Sequence, residues 1–386
     1  MRLESDVPLG VFLSGGLDSS AVVATMREIT SGRIATFSVG FGRAAPSYDE
    51  LPYARLVAQR FETDHHEEIL EPDVRAMLPA MVRAFDEPFA DSSAIPTYVV
   101  AQSTARHVKA VLSGIGGDET FGGYPRYLGL RASRLHDRLP RWLRHASRAV
   151  ARRLPDSSSS RNWGDRIRRF AEQPDATLGD RYIGWTRLFD DAGLAALAGP
   201  ALAAHLTPGV DASRQEVFAS GAPRDPVDGA FRVDLTAYLP DDLLAMADRM
   251  GMSHSLEVRA PFCDQRVIEA CLRLPPRTKI PGTRLKGLLK TAFAGVLPDP
   301  VLAHPKQGFM IPLGSWLRRD LRATLEDLLA SQQVRARGLF DVDEVERLKR
   351  EHLSGARTHA DRLWTLMMAE LWMREYLDLH GPWTLR

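Results

Sequence analysis

The 386-residue chain has only two cysteines, no excess of charge and no clean apolar run of membrane length, and each scarcity excludes something. Cys263 and Cys271 stand eight residues apart in a helix-like segment without clustered histidines. That spacing fits neither a zinc site nor a disulfide framework, and it suits a reducing compartment, so the expected location is cytoplasmic. Lys and Arg number 50 against 49 Asp and Glu, a formal net charge of +1. The chain as a whole therefore has no pull toward nucleic acid or an anionic membrane, and neither is expected as a partner. Residues 192–210 lack Asp, Glu, Lys and Arg, but this Ala-rich stretch carries three glycines, two prolines and His205, which makes a poor membrane span. Glu4 and Asp6 ahead of the first apolar run argue against a signal peptide.

What is present begins with an alternation. From residue 7 to about 125, short β-branched or apolar runs ("VPLGVFLSG", "IATFSVGF", "HEEIL", "VKAVLSG") alternate with helical periodicity ("SAVVATMREI", "YARLVAQRF", "IPTYVVAQSTARH"). Such alternation predicts βαβ units on a parallel sheet, with ligands at the carboxyl ends of its strands. The length predicts more than one domain. We place an α/β nucleotide-binding core at 1–125 and a mostly helical region at 126–386. The start of the second region holds nine arginines and one acid between Arg126 and Arg153, at helical spacing interrupted by Pro140. A solvated helix face or protein contact accounts for it better than a nucleic-acid groove, because Leu and Trp are interleaved. "RRLPDSSSSRN" (152–162) reads as an exposed linker, and the Leu/Met/Trp stripe of "DRLWTLMMAELWMREYL" as core packing.

Two turns carry chemistry. The strand "VFL" runs into "SGGLDSS" (Ser14, Gly15, Gly16, Leu17, Asp18, Ser19, Ser20) and then into a helix. Backbone N–H groups at a helix start face an anion readily, glycines let a phosphate approach, and serine hydroxyls add donors, so the turn can cradle a pyrophosphate. A serine-capped helix after a plain glycine turn is the simpler reading of the same residues. The loop lacks the Gly-Lys-Ser/Thr ending of a Walker A motif and is not GxGxxG. Asp18 beside a polyphosphate would repel it unless the carboxylate reached a Mg²⁺ ion. "VLSGIGGDE" repeats the pattern of strand into Ser-Gly and supplies a second acid, Asp118, which a parallel sheet can bring to the same ion.

The loop resembles the pyrophosphate-binding loop of the asparagine synthetase type, within the N-type ATP pyrophosphatase superfamily. "TFSVGF", "DEPFADSSAIPTY", "LSGIGGDETFGGY", "DRMGMSHSLEVRAPFCD", "LKGLLK" and "PKQGF" match further family blocks in the family's order, from about residue 6 to 377. The resemblance implies an adenine-nucleotide hydrolase-like fold and an ATP-dependent, AMP-forming amide ligase. In that scheme Ser14–Ser20 hold pyrophosphate, Asp18 and Asp118 hold Mg²⁺, Phe12 and Val39 flank the adenosine, and Ser113 with Gly114 contacts the nucleotide. Lys306 matches the lysine that neutralises charge as the acyl-adenylate forms. Asp248, Glu257 and Arg259 either form a buried ion pair or meet substrate. The implied substrates are a carboxylate, aspartate being the commonest, and ammonia or another amine; relatives also close β-lactam or macrolactam rings.

Two departures from the family pattern stand out. Family members carry an N-terminal glutaminase domain with a cysteine directly after the initiator Met; Arg2 follows Met1 here, so the expectation is either a synthetase domain without that glutaminase or a fragment of a longer protein. The expected nitrogen sources are free ammonia, another amine or a separate glutaminase subunit, and an uncovered apolar surface would favour that partner or a homo-oligomer. Ile115 stands where the family has an acid that orients or deprotonates the attacking nitrogen. A catalytically degenerate nucleotide-binding or scaffold homologue is therefore the second reading.

Overall fold

The computed structural model describes residues 3–40, 49–69, 74–151, 153–154, 163–173, 175–206, 211–221, 225–305, 308–309 and 311–378. The predicted alternation is realised as a five-stranded parallel sheet in the order β3-β2-β1-β4-β5. β1 is Leu9–Phe12, β2 Ala35–Gly40, β3 Asp64–Ile69, β4 Ala110–Leu112 and β5 Glu257–Arg259. The central strand β1 lies between β2 and β4, with Val11 opposite Thr36 on one side and Leu112 on the other.

Helix α1 (Leu17–Ile29) follows β1, and α2 (Leu51–Phe61) precedes β3. Their apolar faces, with Val22, Val23, Met26, Ala54 and Val57, pack around Val11, Leu13, Ile34 and Leu112 from the sheet. A strand buried on both faces reads as a nearly continuous apolar run, which is why β1 and β4 look as they do in sequence. The acid-rich β3, "DHHEEI", is only partly buried and lies at the sheet's edge.

The chain divides into two compact units, each assembled from three segments. The first (Met1–Glu71, Ser93–Arg131, Val217–Ile311) holds the whole sheet. It also holds a π-helix, Asp234–Leu244, whose wider turn accommodates Pro240. The second (Pro72–Ser92, Ala132–Glu216, Pro312–Arg386) is helical among its described residues. Its core includes Trp364 and Tyr182, and its longest helix is Ala360–Met373, where the Leu/Met/Trp stripe packs inward as expected. Buried charges there are paired: Arg181 with Asp137 at 2.9 Å, and Glu370 with Arg337 at 3.0 Å and Arg374 at 2.9 Å.

The arginine-rich stretch is largely spent on carboxylates and carbonyls inside its own units. Arg126 pairs with Asp234 at 2.9 Å, and Arg131 donates to the carbonyls of Ile280 and Gly282 at 2.9 and 2.7 Å. Arg144 and Arg148 meet Asp175 and Glu172 at 3.4 and 3.1 Å. Much of the linker read at 152–162 lies outside the described residues.

Candidate active site

The first turn is built largely from its own atoms. Gly15 sits at φ +83°, a left-handed conformation that a side chain would strain, and a Cβ there would also lie 2.5 Å from the Ala54 backbone nitrogen. The Gly16 N–H donates to Ser14 Oγ at 3.2 Å, Ser14 and Ser19 share a hydroxyl contact of 3.0 Å, and the Ser20 hydroxyl donates to the Gly16 carbonyl at 2.7 Å. Gly16 caps α1 with no side-chain acceptor, so the N–H groups of the first helical turn are not claimed by a capping side chain. Ser14, Leu17, Asp18, Ser19 and Ser20 therefore surround the positive end of α1, as the cradle reading requires.

The second turn is held from outside. Ser113, nearly fully buried, donates its N–H to the Arg259 carbonyl at 2.8 Å and so ties the turn to β5. Ile115 is half-buried, and its carbonyl accepts from Cys263 Sγ at 3.7 Å. Gly116, at φ +91°, opens the short helix Gly117–Phe121. The two turns touch: a Cβ on Gly114 would stand 2.7 Å from the Ser19 backbone nitrogen and 2.9 Å from Asp18 Cβ. Phe12, at the end of β1, is half-buried, and Val39, in the adjacent β2, is buried.

The convergence of Asp18 and Asp118, expected from the parallel-sheet argument, is present, and a residue the sequence reading did not single out marks it. The ammonium of Lys286 bonds Asp18 Oδ2 and lies 2.6 Å from Asp118 Oδ1, with all three side chains largely buried. Two carboxylates this close repel unless a cation sits between them. Lys286 adopts φ +52° and donates its N–H to the Gly122 carbonyl at 3.1 Å, so its left-handed backbone is locked onto the second turn. Among the described residues no cluster of three or more His, Cys, Asp and Glu side chains forms a metal cage. A pair of carboxylates beside a phosphate-sized cradle is nevertheless the donor set that suits Mg²⁺, which keeps waters and takes phosphate oxygens as its remaining ligands.

Beside Asp118 lies a second polar group that the sequence reading missed. Glu119 is buried and accepts a hydrogen bond from the Tyr124 hydroxyl. Desolvation first, and the neighbouring Asp118 charge second, raise its pKa to about 7. Arg126 stacks on Tyr124, 3.9 Å from the ring centroid, and pairs with Asp234, which also accepts from the Tyr127 hydroxyl at 2.5 Å. This network connects the second turn to the start of the π-helix.

Other predicted residues fall differently. Glu257 and Arg259 do pair, at 2.9 Å, but Glu257 is 58% exposed, so the buried ion pair considered from sequence is a surface one. Arg259 also donates to the Glu4 carbonyl at 2.8 Å, and Asp248 is exposed. Lys306 lies outside the described residues.

Comparison with known proteins agrees with the family resemblance. The family model described as asparagine synthase matches residues 1–374. A putative glutamine-hydrolyzing asparagine synthetase of Mycobacterium tuberculosis is 36% identical over 380 residues, covering 98% of this chain and 56% of the relative. The glutamine-hydrolyzing asparagine synthetase 1 of Bacillus subtilis is 30% identical over 377 residues, 96% of this chain and 57% of the relative. The Gibberella zeae amidase chry2 is 24% identical over 390 residues, 88% of this chain and 54% of the relative. The chain thus spans a little over half the length of these curated relatives.

Proposed function

The chain belongs to the asparagine synthase family, and from that premise we propose that it is an ATP-dependent, AMP-forming amide ligase that activates a carboxylate, aspartate first among candidates, for attack by ammonia or another amine. The observation that carries the reading is the meeting of Asp18 and Asp118, from two Ser-Gly turns at the ends of adjacent parallel strands, on one buried cation position. A carboxylate is a poor electrophile, and adenylation gives it a leaving group. In this reading the Ser14–Ser20 turn binds the pyrophosphate portion of ATP, with Ser113 and Gly114 as the second wall and Phe12 and Val39 beside the adenosine. Asp18 and Asp118 would hold Mg²⁺, which when bound supplies positive charge to the phosphate oxygens. Lys286 places a further cation between the two turns, and Lys306 is proposed to neutralise charge as the acyl phosphate bond forms.

The nitrogen step is where this chain departs from the pattern that the family resemblance implies. Isoleucine neither accepts a proton nor attracts ammonium, so Ile115 supports a second reading in which nucleotide binding survives and amide formation is slow or lost. In that reading the protein serves as a nucleotide-binding partner of a separate glutaminase subunit. The two unbridged thiols fit a reducing, cytoplasmic setting.

Pyrophosphate exchange with Mg²⁺ and a panel of carboxylates, with and without ammonium, separates these readings. Exchange supported by one acid, followed by amide on adding the amine, is the expected result. Exchange with none of the acids would discard the ligase reading. Exchange without amide would place the defect at Ile115, in which case Ile115→Asp should restore product.

A further inference from the structure

The helical unit contains a cavity of about 530 Å³ whose lining residues all belong to that unit. Its walls come from the helix Trp163–Ala171 and the residues after it, the end of Leu178–Thr186, the start of Asp191–Leu197, the helix Val342–Ser354, and the first turn of Ala360–Met373. Its size falls in the range of small-molecule sites. Six arginines line it, against four carboxylates, together with the buried His359, whose pKa desolvation lowers.

Two of those carboxylates are committed to groups other than the lining arginines, and Glu344 to one of the six. Glu344 grips Arg347 at 2.6 Å, Glu172 pairs with Arg148 at 3.1 Å, and Asp190 caps its own helix through the Gly193 N–H at 2.8 Å. Three of the arginines are held in place, Arg187 by Asp191 and Asp211 at 2.6 and 3.4 Å. Arg347 is locked between Glu344 and Glu351, and Arg362 donates Nε to the Leu188 carbonyl at 2.8 Å with its guanidinium 5.3 Å from the Phe189 ring. Arg357 is exposed at the rim, and its side chain makes no ion pair among the described residues. The 14-residue helix Ala360–Met373 opens into the same cavity with no side-chain cap and with Asp361 in its first turn. Trp185 and Phe189 add an aromatic wall.

We propose that this cavity binds a small phosphorylated molecule of sugar-phosphate or nucleotide size. Beside the two arginines already paired with carboxylates, the guanidinium forks of Arg168, Arg169, Arg357 and Arg362 line one cavity with an uncapped helix start; together these suit a dianionic head with three oxygens, and the aromatic wall suits an organic body. A planar carboxylate would engage only one fork at a time. Nothing in the inference depends on the adenylation reading, since no lining residue belongs to the two glycine turns.

The test is calorimetric titration of the full chain with fructose 1,6-bisphosphate, AMP, inorganic phosphate and citrate. Alongside it, hydrogen exchange is read over residues 357–362. The expected result is saturable binding of an organic phosphate with protection of that segment. Affinity should fall at least tenfold in Arg169→Glu/Arg357→Glu, fall severalfold in the milder Arg357→Ala, and be unchanged in Asp18→Asn. Both substituted arginines are exposed, so a native circular dichroism spectrum is expected for each variant. Equal or tighter binding of citrate, no binding of any organic phosphate, or binding indifferent to the arginine changes would each overturn the proposal.

Discussion

The two Ser-Gly turns look alike in sequence and are stabilised in opposite ways. The first feeds a 13-residue helix and bonds to itself through Ser14, Ser19 and Ser20. The second feeds a helix of five residues and relies on neighbours: the Arg259 carbonyl, Cys263 and Lys286. Gly122, which ends that short helix, is walled by Ile280 and by Phe231, whose ring also carries the Lys279 ammonium at 3.7 Å. A local turn is encoded within its own few residues, whereas a propped turn needs the far part of the chain to fold first. The difference predicts that, apart from Lys286, which also bonds Asp18, the first turn tolerates loss of distant side chains and the second does not.

The largest expected effect erases the comparison at the point where the turns meet. Asp18→Asn and Asp118→Asn should each lower pyrophosphate exchange on the order of a thousandfold, because both halves serve one site. Retention of exchange in either variant would show that the turn concerned is only structural. Lys286→Met should cost about 3 kcal/mol in urea unfolding, since it leaves two buried carboxylates facing each other. A neutral result would mean that the two turns are held together without it.

Gly114→Ala should destabilise by about 2 kcal/mol and impair nucleotide binding, because the obstructing atom is the Ser19 backbone nitrogen and cannot rotate away. Next comes a pH-dependent change in the second turn's supports. Burial lowers the Lys279 pKa from the usual 10.5 to about 8, with Cys271 and Asp228 opposing the shift. The native state then holds fewer protons than the unfolded chain between those two values. Stability should therefore rise with pH across that window, and the full penalty is present below about 8. Lys279→Met should gain at most about 3 kcal/mol at pH 7 and flatten the rise, as thermal melts from pH 7 to 10.5 would show. The smallest effect belongs to Ser14→Ala, roughly 1 kcal/mol, from loss of one local hydrogen-bond partner.

The same contrast explains what could be read from the sequence. Strands β1 to β4 and helices α1 and α2 announce themselves by period and by the glycines that end them, and the Ser-Gly-Asp turns by composition. Lys286 was silent: it stands 268 residues from Asp18, and within "LKGLLK" it reads as the polar side of an amphipathic helix. β5 is three residues long and gives no alternation to detect, although it completes the sheet beside β4. Glu119 and Tyr124 were visible as residues, but the burial that shifts the carboxyl depends on packing against Tyr238 and Arg126. The surface position of the Glu257–Arg259 pair was likewise a matter of tertiary packing.

The borders of the sheet have a bearing on how copies of this protein behave in a crowded solution. A parallel sheet with a bare, apolar border invites a second molecule to continue its hydrogen-bond ladder. Here one border is β5, too short to template more than a residue or two, and the other is β3, where Glu67 is clasped by Arg55 at 2.6 Å and Glu68 accepts from the Ser103 hydroxyl at 2.9 Å. A newcomer strand of the same sequence would have to seat a second Glu67–Arg55 pair and a second Glu68 beside the first, so the sheet is closed to self-propagation by chemistry at one end and by brevity at the other.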